Sequence, residues 1–457
     1  MKNILVLGAG LSSSSLIRYL IQNAEKENWF VKIVDQSKEL VENKINGSKF
    51  AEAMVFNALS SEERRVEIEK SDLVISMLPA RFHVEIAEDC IALKRNLITP
   101  SYVSPEMKSL DEKAKAAGIL IMNEIGVDPG IDHMSAMHII DKIREQGGEM
   151  RNFESFTGGL VAQESDNNPW NYKFTWNPRN VVLAGQGGAA QFVQEGQYKY
   201  IPYNKLFRRT EVIEIEGYGK FEGYANRNSL QYRKLYNLAD INTIYRGTLR
   251  RVGFSRAWDV FVQLGLTDDS YTMEGSENMT NRDFINSFLP YHPHDSVELK
   301  LRYYLKIDQD DSLWEKLVWL GIFKNDREIG LKDATPAQIL QKILEDKWRL
   351  EPEDKDMLVM YHRFVYLLDG KHKEIISSMV NIGEDQTYTS MSNTVGLPVG
   401  ICAKHMLNGN IQLTGVQIPT IREIYDPILE ELEEYGIIFT ETKVALPKLY
   451  HEMTNWD

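Results

Sequence analysis

The chain carries only two cysteines, Cys90 and Cys402, in 457 residues. Two thiols make neither a disulfide framework nor a cysteine-rich metal site. No apolar run approaches the roughly 18 residues that a membrane span requires. The first residues run straight into an apolar stretch, with no basic segment, signal core or cleavage site ahead of it. Positive charge is also short: 52 lysines and arginines face 66 aspartates and glutamates, a formal net charge of −14. That balance argues against nucleic acid and anionic membranes as partners. A cytoplasmic protein with no nucleic-acid or membrane partner is the expectation. His292-Pro293-His294 has no further ligands at metal spacing, so no metal is expected either. What is present is ordinary for a globular protein, with 43% hydrophobic and 26% charged residues. The length exceeds one typical core, so two or three domains are expected.

The first of these opens with an apolar strand over Lys2 to Leu7 that ends in Gly8-Ala9-Gly10, and Ser12 to Ser15 then start an amphipathic helix. Strand, Gly-x-Gly and helix form the geometry in which backbone N–H groups approach a pyrophosphate at a helix N-terminus. Ser13 stands where the third glycine of that fingerprint would be. A second strand, Val31 to Val34, ends in Asp35, an acid suited to the ribose hydroxyls of NAD and repulsive to a 2′-phosphate. NAD is therefore the expected cofactor, with NADP as the alternative. Further strands over 49–56, 72–77, 96–99 and 118–122 alternate with helices, which implies an α/β fold with a doubly wound parallel sheet. The loops after those strands carry Ser12, Asp35, Asn57, Leu78, Ser101, Tyr102, Gly126, Val127 and Asp128, and converge on one edge. The run from Ile121 to His133 is the densest: Asn123, Glu124, Asp128, Asp132 and His133 surround a glycine and a Pro-Gly turn.

Beyond a helix from Asp132 to about Gln146, residues 150 to 275 are rich in Tyr, Asn, Arg and β-branched residues, and alternate as strands of a mixed α+β domain do. Arginines sit in three Gly- and Asn-rich clusters, at 172–179, 223–229 and 246–251. In an acidic protein, such clusters suit a carboxylate, which the planar guanidinium matches bidentately. Residues 276 to 385 read as mainly helical. Thr335-Pro336 opens one helix and another is expected over 354–367. A polar strand is expected after Asp385, then an apolar helix over 392–407 and an acidic one over 420–435.

Six stretches together resemble the saccharopine dehydrogenase family of the glutamate-forming class. They are Asp72-Leu-Val-Ile-Ser-Met-Leu-Pro with His83; Ser101-Tyr-Val-Ser-Pro; Met122-Asn-Glu-Ile-Gly-Val-Asp-Pro-Gly-Ile-Asp-His; Asp166 through Trp176; Asn226-Arg-Asn-Ser with Arg246-Gly-Thr-Leu-Arg; and Thr394-Val-Gly-Leu-Pro with Leu413-Thr-Gly-Val. The resemblance implies a Rossmann domain over 1–130 to which residues 390–450 return. It also implies a substrate and dimerisation domain over 131–275, a helical domain over 276–385, and a homodimer. It assigns Gly8, Gly10, Leu11, Ser12, Ser13, Asp35, Gln36, Asn57, Ala58, Met77 and Leu78 to the dinucleotide. Gly126, Val127 and Asp128 fall between nicotinamide and substrate, and Ser101, Tyr102, Asn177, Arg227, Thr248, Leu249 and Arg250 contact the substrate. The chain departs from the family at Thr157, often a cysteine, at Ala80, often a tyrosine, and at Asp35, which the fungal NADP members lack.

The resemblance implies oxidation of the secondary amine of saccharopine to an imine, with hydrolysis to L-glutamate and 2-aminoadipate 6-semialdehyde, or the reverse, in lysine metabolism. Three carboxylates on that substrate would account for the arginines, with Arg227 and Arg250 foremost and Arg246 and Arg179 behind them. Asp128 is the first candidate for general base, Tyr102 its partner, and His133 a further candidate. A polyamine-forming imine reductase (carboxyspermidine or homospermidine type) and a non-catalytic NAD-binding sensor are the alternatives.

Overall fold

The computed structural model describes residues 1–444, and the chain divides into two compact units, Met1–Met150 with the described residues from Val365, and Arg151–Phe364. The first unit alternates strands and helices from the start. They are β1 (Lys2–Leu7), α1 (Ser14–Glu27), β2 (Trp29–Val34), α2 (Lys38–Ile45), β3 (Ala51–Met54), α3 (Ser61–Glu69), β4 (Leu73–Ser76), α4 (His83–Leu93), β5 (Asn96–Ile98), α5 (Pro105–Ser109), α6 (Asp111–Ala117), β6 (Leu120–Met122) and α7 (Ile131–Glu145). Leu5, Leu7, Val74, Leu97 and Ile121 are buried in one cluster with Ile86, Cys90 and Ala114 from the covering helices. Strands sealed on both faces read as continuous apolar runs, as β1 and β4 do.

The second unit carries β7 (Glu149–Val161), α8 (Pro178–Val182), β8 (Ala190–Gln194), β9 (Gln197–Ile201), β10 (Thr210–Ile215), β11 (Gly219–Ala225), α9 (Gln231–Leu235), β12 (Thr243–Arg251), α10 (Phe254–Leu264), α11 (Asn281–Asn286), α12 (Val297–Leu305), α13 (Ser312–Trp319), α14 (Pro336–Trp348) and β13 (Asp356–Leu368). Its mixed sheet runs β10-β11-β12-β7-β13, with β8 joining β12 and β9 joining β8. Gly247 of β12 and Gly223 of β11 lie under the Phe156 ring, where a Cβ on either would come within 2.7 Å of it. The Arg-Gly-Thr-Leu-Arg run thus owes its glycine to packing. Trp170, Trp258 and Trp348 pack with Phe254 and Phe261 beneath the helices. Residues 354–367, expected as a helix, form β13 instead. Met357 to Tyr361 is buried on both faces, and such an unbroken apolar run carries no period by which to tell a strand from a helix.

After this the chain returns to the first unit with β14 (Lys371–Ile382), α15 (Ser390–Leu407), β15 (Gly415–Gln417), α16 (Arg422–Glu434) and β16 (Thr440–Val444). The segment from Asp385 to the start of α15, expected as a strand, is a turn instead. Asp385 Oδ1 accepts the N–H groups of Thr387 and Tyr388, both at 2.7 Å, and this local turn wins over an extended chain. β15 pairs with β6, completing a wholly parallel sheet in the order β15-β6-β5-β4-β1-β2-β3. The order reverses between β1 and β4, and all strands point their carboxyl ends at one edge, the place where such sheets bind ligands. No helix among the described residues is long and apolar enough to cross a membrane.

The apolar helix α15 lies directly on α1. A Cβ at Gly396 would stand 2.8 Å from the Leu16 nitrogen and 3.2 Å from the Ser12 carbonyl oxygen, and one at Gly400 would stand 2.6 Å from the Tyr19 ring. Ser15 donates its backbone N–H to Ser392 Oγ at 2.9 Å and its hydroxyl to Asn393 Oδ1 at 2.6 Å. Because backbone atoms cannot yield, Gly396→Ala is expected to force the helices apart and cost about 1–3 kcal/mol, read as a lower urea midpoint with unchanged slope.

Candidate functional site

Gly8 ends β1 with φ +102°, and a Cβ there would press on the Met77 carbonyl and the Leu78 side chain at 3.2 Å. Only glycine adopts this conformation in that space. Gly10 is different: it is exposed, and a Cβ there would meet no protein atom within 4 Å. Leu11 to Ser13 form a single tight turn, with Leu11 exposed, Ser12 half-buried and Ser13 Oγ donating to the Gly10 carbonyl at 2.8 Å. Asp35 follows β2. Its Oδ2 accepts the Ala9 N–H at 2.8 Å and its Oδ1 the Ser37 N–H at 3.2 Å. The acid is thereby fixed beside the glycine turn. Gln36 and Asn57 are exposed, Ala58, Met77 and Leu78 half-buried, and all stand beyond the carboxyl ends of β2, β3 and β4.

This cradle fits a nicotinamide dinucleotide. It has a glycine turn at the start of a long helix, open space at Gly10 and a carboxylate at the end of β2. Sequence reasoning missed Lys44 of α2, which bends back over the turn. Its Nζ donates to the Gly10 carbonyl at 2.6 Å and lies 3.5 Å from Ser13 Oγ. Burial lowers its pKa to about 8, against the opposing pull of Asp35. Nothing in the helical pattern of residues 38–45 marks this lysine out from its neighbours.

The second group gathers at β5 and β6. Tyr102 is half-exposed and donates from its hydroxyl to Asp128 Oδ1 at 2.9 Å. Asp128 heads a turn closed by Gly126 N–H to the Pro129 carbonyl at 3.0 Å and by Gly130 N–H to Asp132 Oδ1 at 2.6 Å. At Gly130, φ is +147° and a Cβ would stand 2.0 Å from the Gly126 oxygen, so only glycine can close it. Val127 is buried, and so is Gly126, where a Cβ would stand 3.0 Å from Pro100. His133 shows no exposed surface and shares a 2.7 Å contact between Nε2 and Glu124 Oε2. Ser101 Oγ meets His83 Nε2 at 2.8 Å, and that imidazole also contacts Thr99 Oγ1 at 2.9 Å and Ser76 Oγ at 3.0 Å. Burial alone pushes the His83 pKa down to about 4. A neutral ring linking three hydroxyls holds Ser101 in place. The residue was visible in the sequence, but its partners come from three different segments.

In the second unit, Arg250 is 4% exposed. Its guanidinium lies 5.1 Å from the Tyr172 ring centre and 5.4 Å from that of Phe254, one Nη donates to its neighbour's carbonyl at 2.8 Å, and Nε has no hydrogen-bond partner. No carboxylate among the described residues forms an ion pair with it. Arg227 is exposed beside Gly187, and Thr248 Oγ1 donates to Asn226 Oδ1 at 2.6 Å. Leu249 is fully buried, and Asn177 caps α8 by accepting the Arg179 N–H at 2.9 Å. Arg179 itself is taken by Asp269, which Thr335 also holds. Arg246 is buried with its guanidinium 4.0 Å above the Tyr232 ring. The Thr157 hydroxyl, buried in β7, has no partner. No group of three or more potential metal ligands exists among the described residues.

Two family models match the chain, the saccharopine dehydrogenase NADP binding domain over residues 4–122 and the saccharopine dehydrogenase C-terminal domain over residues 126–437. The chain is 32% identical to the saccharopine dehydrogenase [NADP(+), L-glutamate-forming] of Saccharomyces cerevisiae, over 97% of this chain and 100% of that one. It is also 32% identical to the mitochondrial alpha-aminoadipic semialdehyde synthase of Bos taurus, over 96% of this chain and 47% of that one. The chain therefore spans about half the length of the synthase and the full length of the yeast protein. Among solved structures it is similar to the apo histidine-tagged saccharopine dehydrogenase (L-Glu forming) from Saccharomyces cerevisiae, with TM-score 0.86, 30% identity and coverage of 97% and 100%. A homospermidine synthase from Legionella pneumophila in complex with NAD shares the fold at TM-score 0.55 and 10% identity, over 98% and 92% of the two chains.

The His83 network makes stability depend on acid. Folded His83 stays neutral to about pH 4, whereas an unfolded histidine binds its proton near 6.5. The unfolded state therefore gains protons first, and stability is expected to fall by about 3 kcal/mol as pH drops across that window. His83→Gln is expected to flatten this slope in urea titrations at stepped pH.

Proposed function

The chain belongs to the saccharopine dehydrogenase family, and from that premise we propose that it interconverts saccharopine with L-glutamate and 2-aminoadipate 6-semialdehyde. The bond broken is the C–N bond of a secondary amine. Loss of hydride and proton gives an imine, water adds to the C=N carbon, and the amine leaves as glutamate. A nicotinamide dinucleotide held by the Gly8–Gly10 turn and Asp35 would supply the hydride chemistry in either direction. The chain's own work is to orient the substrate and to move protons. Asp128 takes the proton from the amine, hands it to the imine nitrogen as water approaches, and as a carboxylate again accepts the proton that the adding water gives up, while the Tyr102 hydroxyl holds it in place by a hydrogen bond. Arg250 carries the reading. A buried cation with no counter-ion among the described residues, in a protein of net charge −14, is costly unless an anion completes it. A carboxylate of the substrate supplies that anion, and Arg227, with Asn177 and Thr248, takes further polar groups.

Asp35 favours NAD, although the names of the yeast relative and of the family model carry NADP. The protein works in the cytoplasm as a homodimer, with residues 131–275 supplying substrate and dimer contacts. Sedimentation would give twice the chain mass of 52.6 kDa.

Absorbance of the reduced nicotinamide, followed as saccharopine is added with NAD and NADP in parallel, tests the reading. Turnover with NAD and little with NADP is expected. Turnover with NADP alone would keep the reaction and remove the role given to Asp35. Silence with both, and activity on polyamine imines, would overturn it. Asp128→Asn is expected to lower kcat/KM by about 10²–10⁴-fold. Asp35→Asn keeps an acceptor for the Ala9 N–H but removes the charge, and is expected to narrow the preference for NAD, read from kcat/KM for each cofactor.

A further inference from the structure

Glu124, two residues past the end of β6, adopts a conformation few non-glycine residues take, with φ +57°. The twist lets one residue grip the chain on both sides of Tyr102. Its backbone N–H donates to the Ser101 carbonyl at 3.0 Å, and its side chain folds back so that Oε1 accepts the Val103 N–H at 2.9 Å. Both peptide neighbours of Tyr102 are thereby tied to a single residue. The other carboxylate oxygen, Oε2, meets His133 Nε2 at 2.7 Å. Glu124 is 6% exposed and His133 is 0% exposed. A carboxylate taken from water this fully demands partners on both oxygens, and here one partner is the Tyr102 loop and the other is the first turn of α7. That same turn carries Asp132, whose carboxylate closes the loop bearing Asp128. The donor and the acceptor of the Tyr102–Asp128 hydrogen bond are therefore referenced to one helix start.

We propose that Glu124 and His133 are positioning residues, a buried acid–imidazole clamp that sets the Tyr102 hydroxyl against Asp128. The proposal rests on the reading of Tyr102 and Asp128 as the proton-handling pair. Glutamine at 124 offers one acceptor oxygen where the carboxylate offers two, so one of the two ties must loosen. His133, a candidate proton carrier on sequence grounds, acts here through Glu124.

The test is a double-mutant cycle in the full chain. Glu124→Gln is expected to lower kcat with saccharopine by about 10²-fold, the scale of a misplaced catalytic group, with thermal midpoint and dinucleotide affinity close to those of the parent. Tyr102→Phe is expected to lower kcat similarly, and the double variant to fall no further than Tyr102→Phe alone. His133→Ala, which removes the Nε2 contact to Glu124 Oε2, is expected to lower kcat in the same direction, and to fall no further than Tyr102→Phe when the two are combined. It also supplies the same cycle should Glu124→Gln not fold. A double variant whose losses multiply would overturn the clamp, because Glu124 would then act independently of Tyr102. So would a single variant whose lost activity simply follows lost stability and lost dinucleotide binding. If Tyr102→Phe keeps full turnover, the acid–base reading itself falls, an outcome distinct from multiplied losses.

Discussion

The contact between α15 and α1, made without side chains at Gly396 and Gly400, is the constraint on which the first unit depends. α1 begins where the glycine turn ends, so whatever fixes that helix fixes the turn. Ser392 and Asn393 hold Ser15 by two hydrogen bonds, and Gly396 lets the α15 backbone reach the Ser12 carbonyl. The dinucleotide cradle is thus braced from behind by residues from the far end of the sequence. The front of the cradle is set by Asp35 and Lys44, which act on the same turn from β2 and α2. A turn held on both sides loses little freedom when a ligand arrives, and preorganisation of this kind is how a site avoids an entropic cost at binding.

Buried cations in this chain are accommodated in two ways. Arg64 is nearly sealed from solvent and pairs with Asp89 at 2.6 Å, and Lys173 pairs with Asp354 at 2.5 Å. Each of these cations has its carboxylate inside the protein. Arg250 is as deeply placed and has aromatic rings around it instead. Attraction to ring faces offsets part of the desolvation but carries no countercharge. The same contrast divides the two best-placed histidines. His83 is neutral among hydroxyls, whereas His133 is joined to an acid.

The sheet was legible because its strands are short apolar runs ended by Gly, Asp, Asn or Pro, each followed by a helix of ordinary length. The glycine turn, Asp35 and the loops at the carboxyl edge were readable for the same reason, since local spacing and sheet topology together place them. β13 was not legible. A strand buried on both faces offers no alternation, and length alone suggested a helix. The clamp at Glu124 was half legible. The acid and the imidazole stood in one conspicuous run, but their partnership depends on a left-handed backbone and on β5 lying beside β6. Lys44 and the ring of hydroxyls around His83 were hidden for a simpler reason: their partners lie on other segments and share no sequence pattern.

The second unit begins and ends on neighbouring strands, β7 and β13, whose Phe153 and Phe364 rings lie 5.3 Å apart. In folding terms it is an insertion whose ends meet once it has formed. The first unit needs α15 and β15 to complete its helix layer and its sheet edge, and both are made only after the whole of the second unit. Closing so long a loop from a disordered chain costs several kcal/mol of entropy, about 5 by a simple logarithmic law. If the insertion folds first, that entropy has already been spent on its own strands, and the returning helix finds α1 across a short gap. The order of synthesis and the order of assembly then agree, with the cofactor cradle as the last element to become rigid.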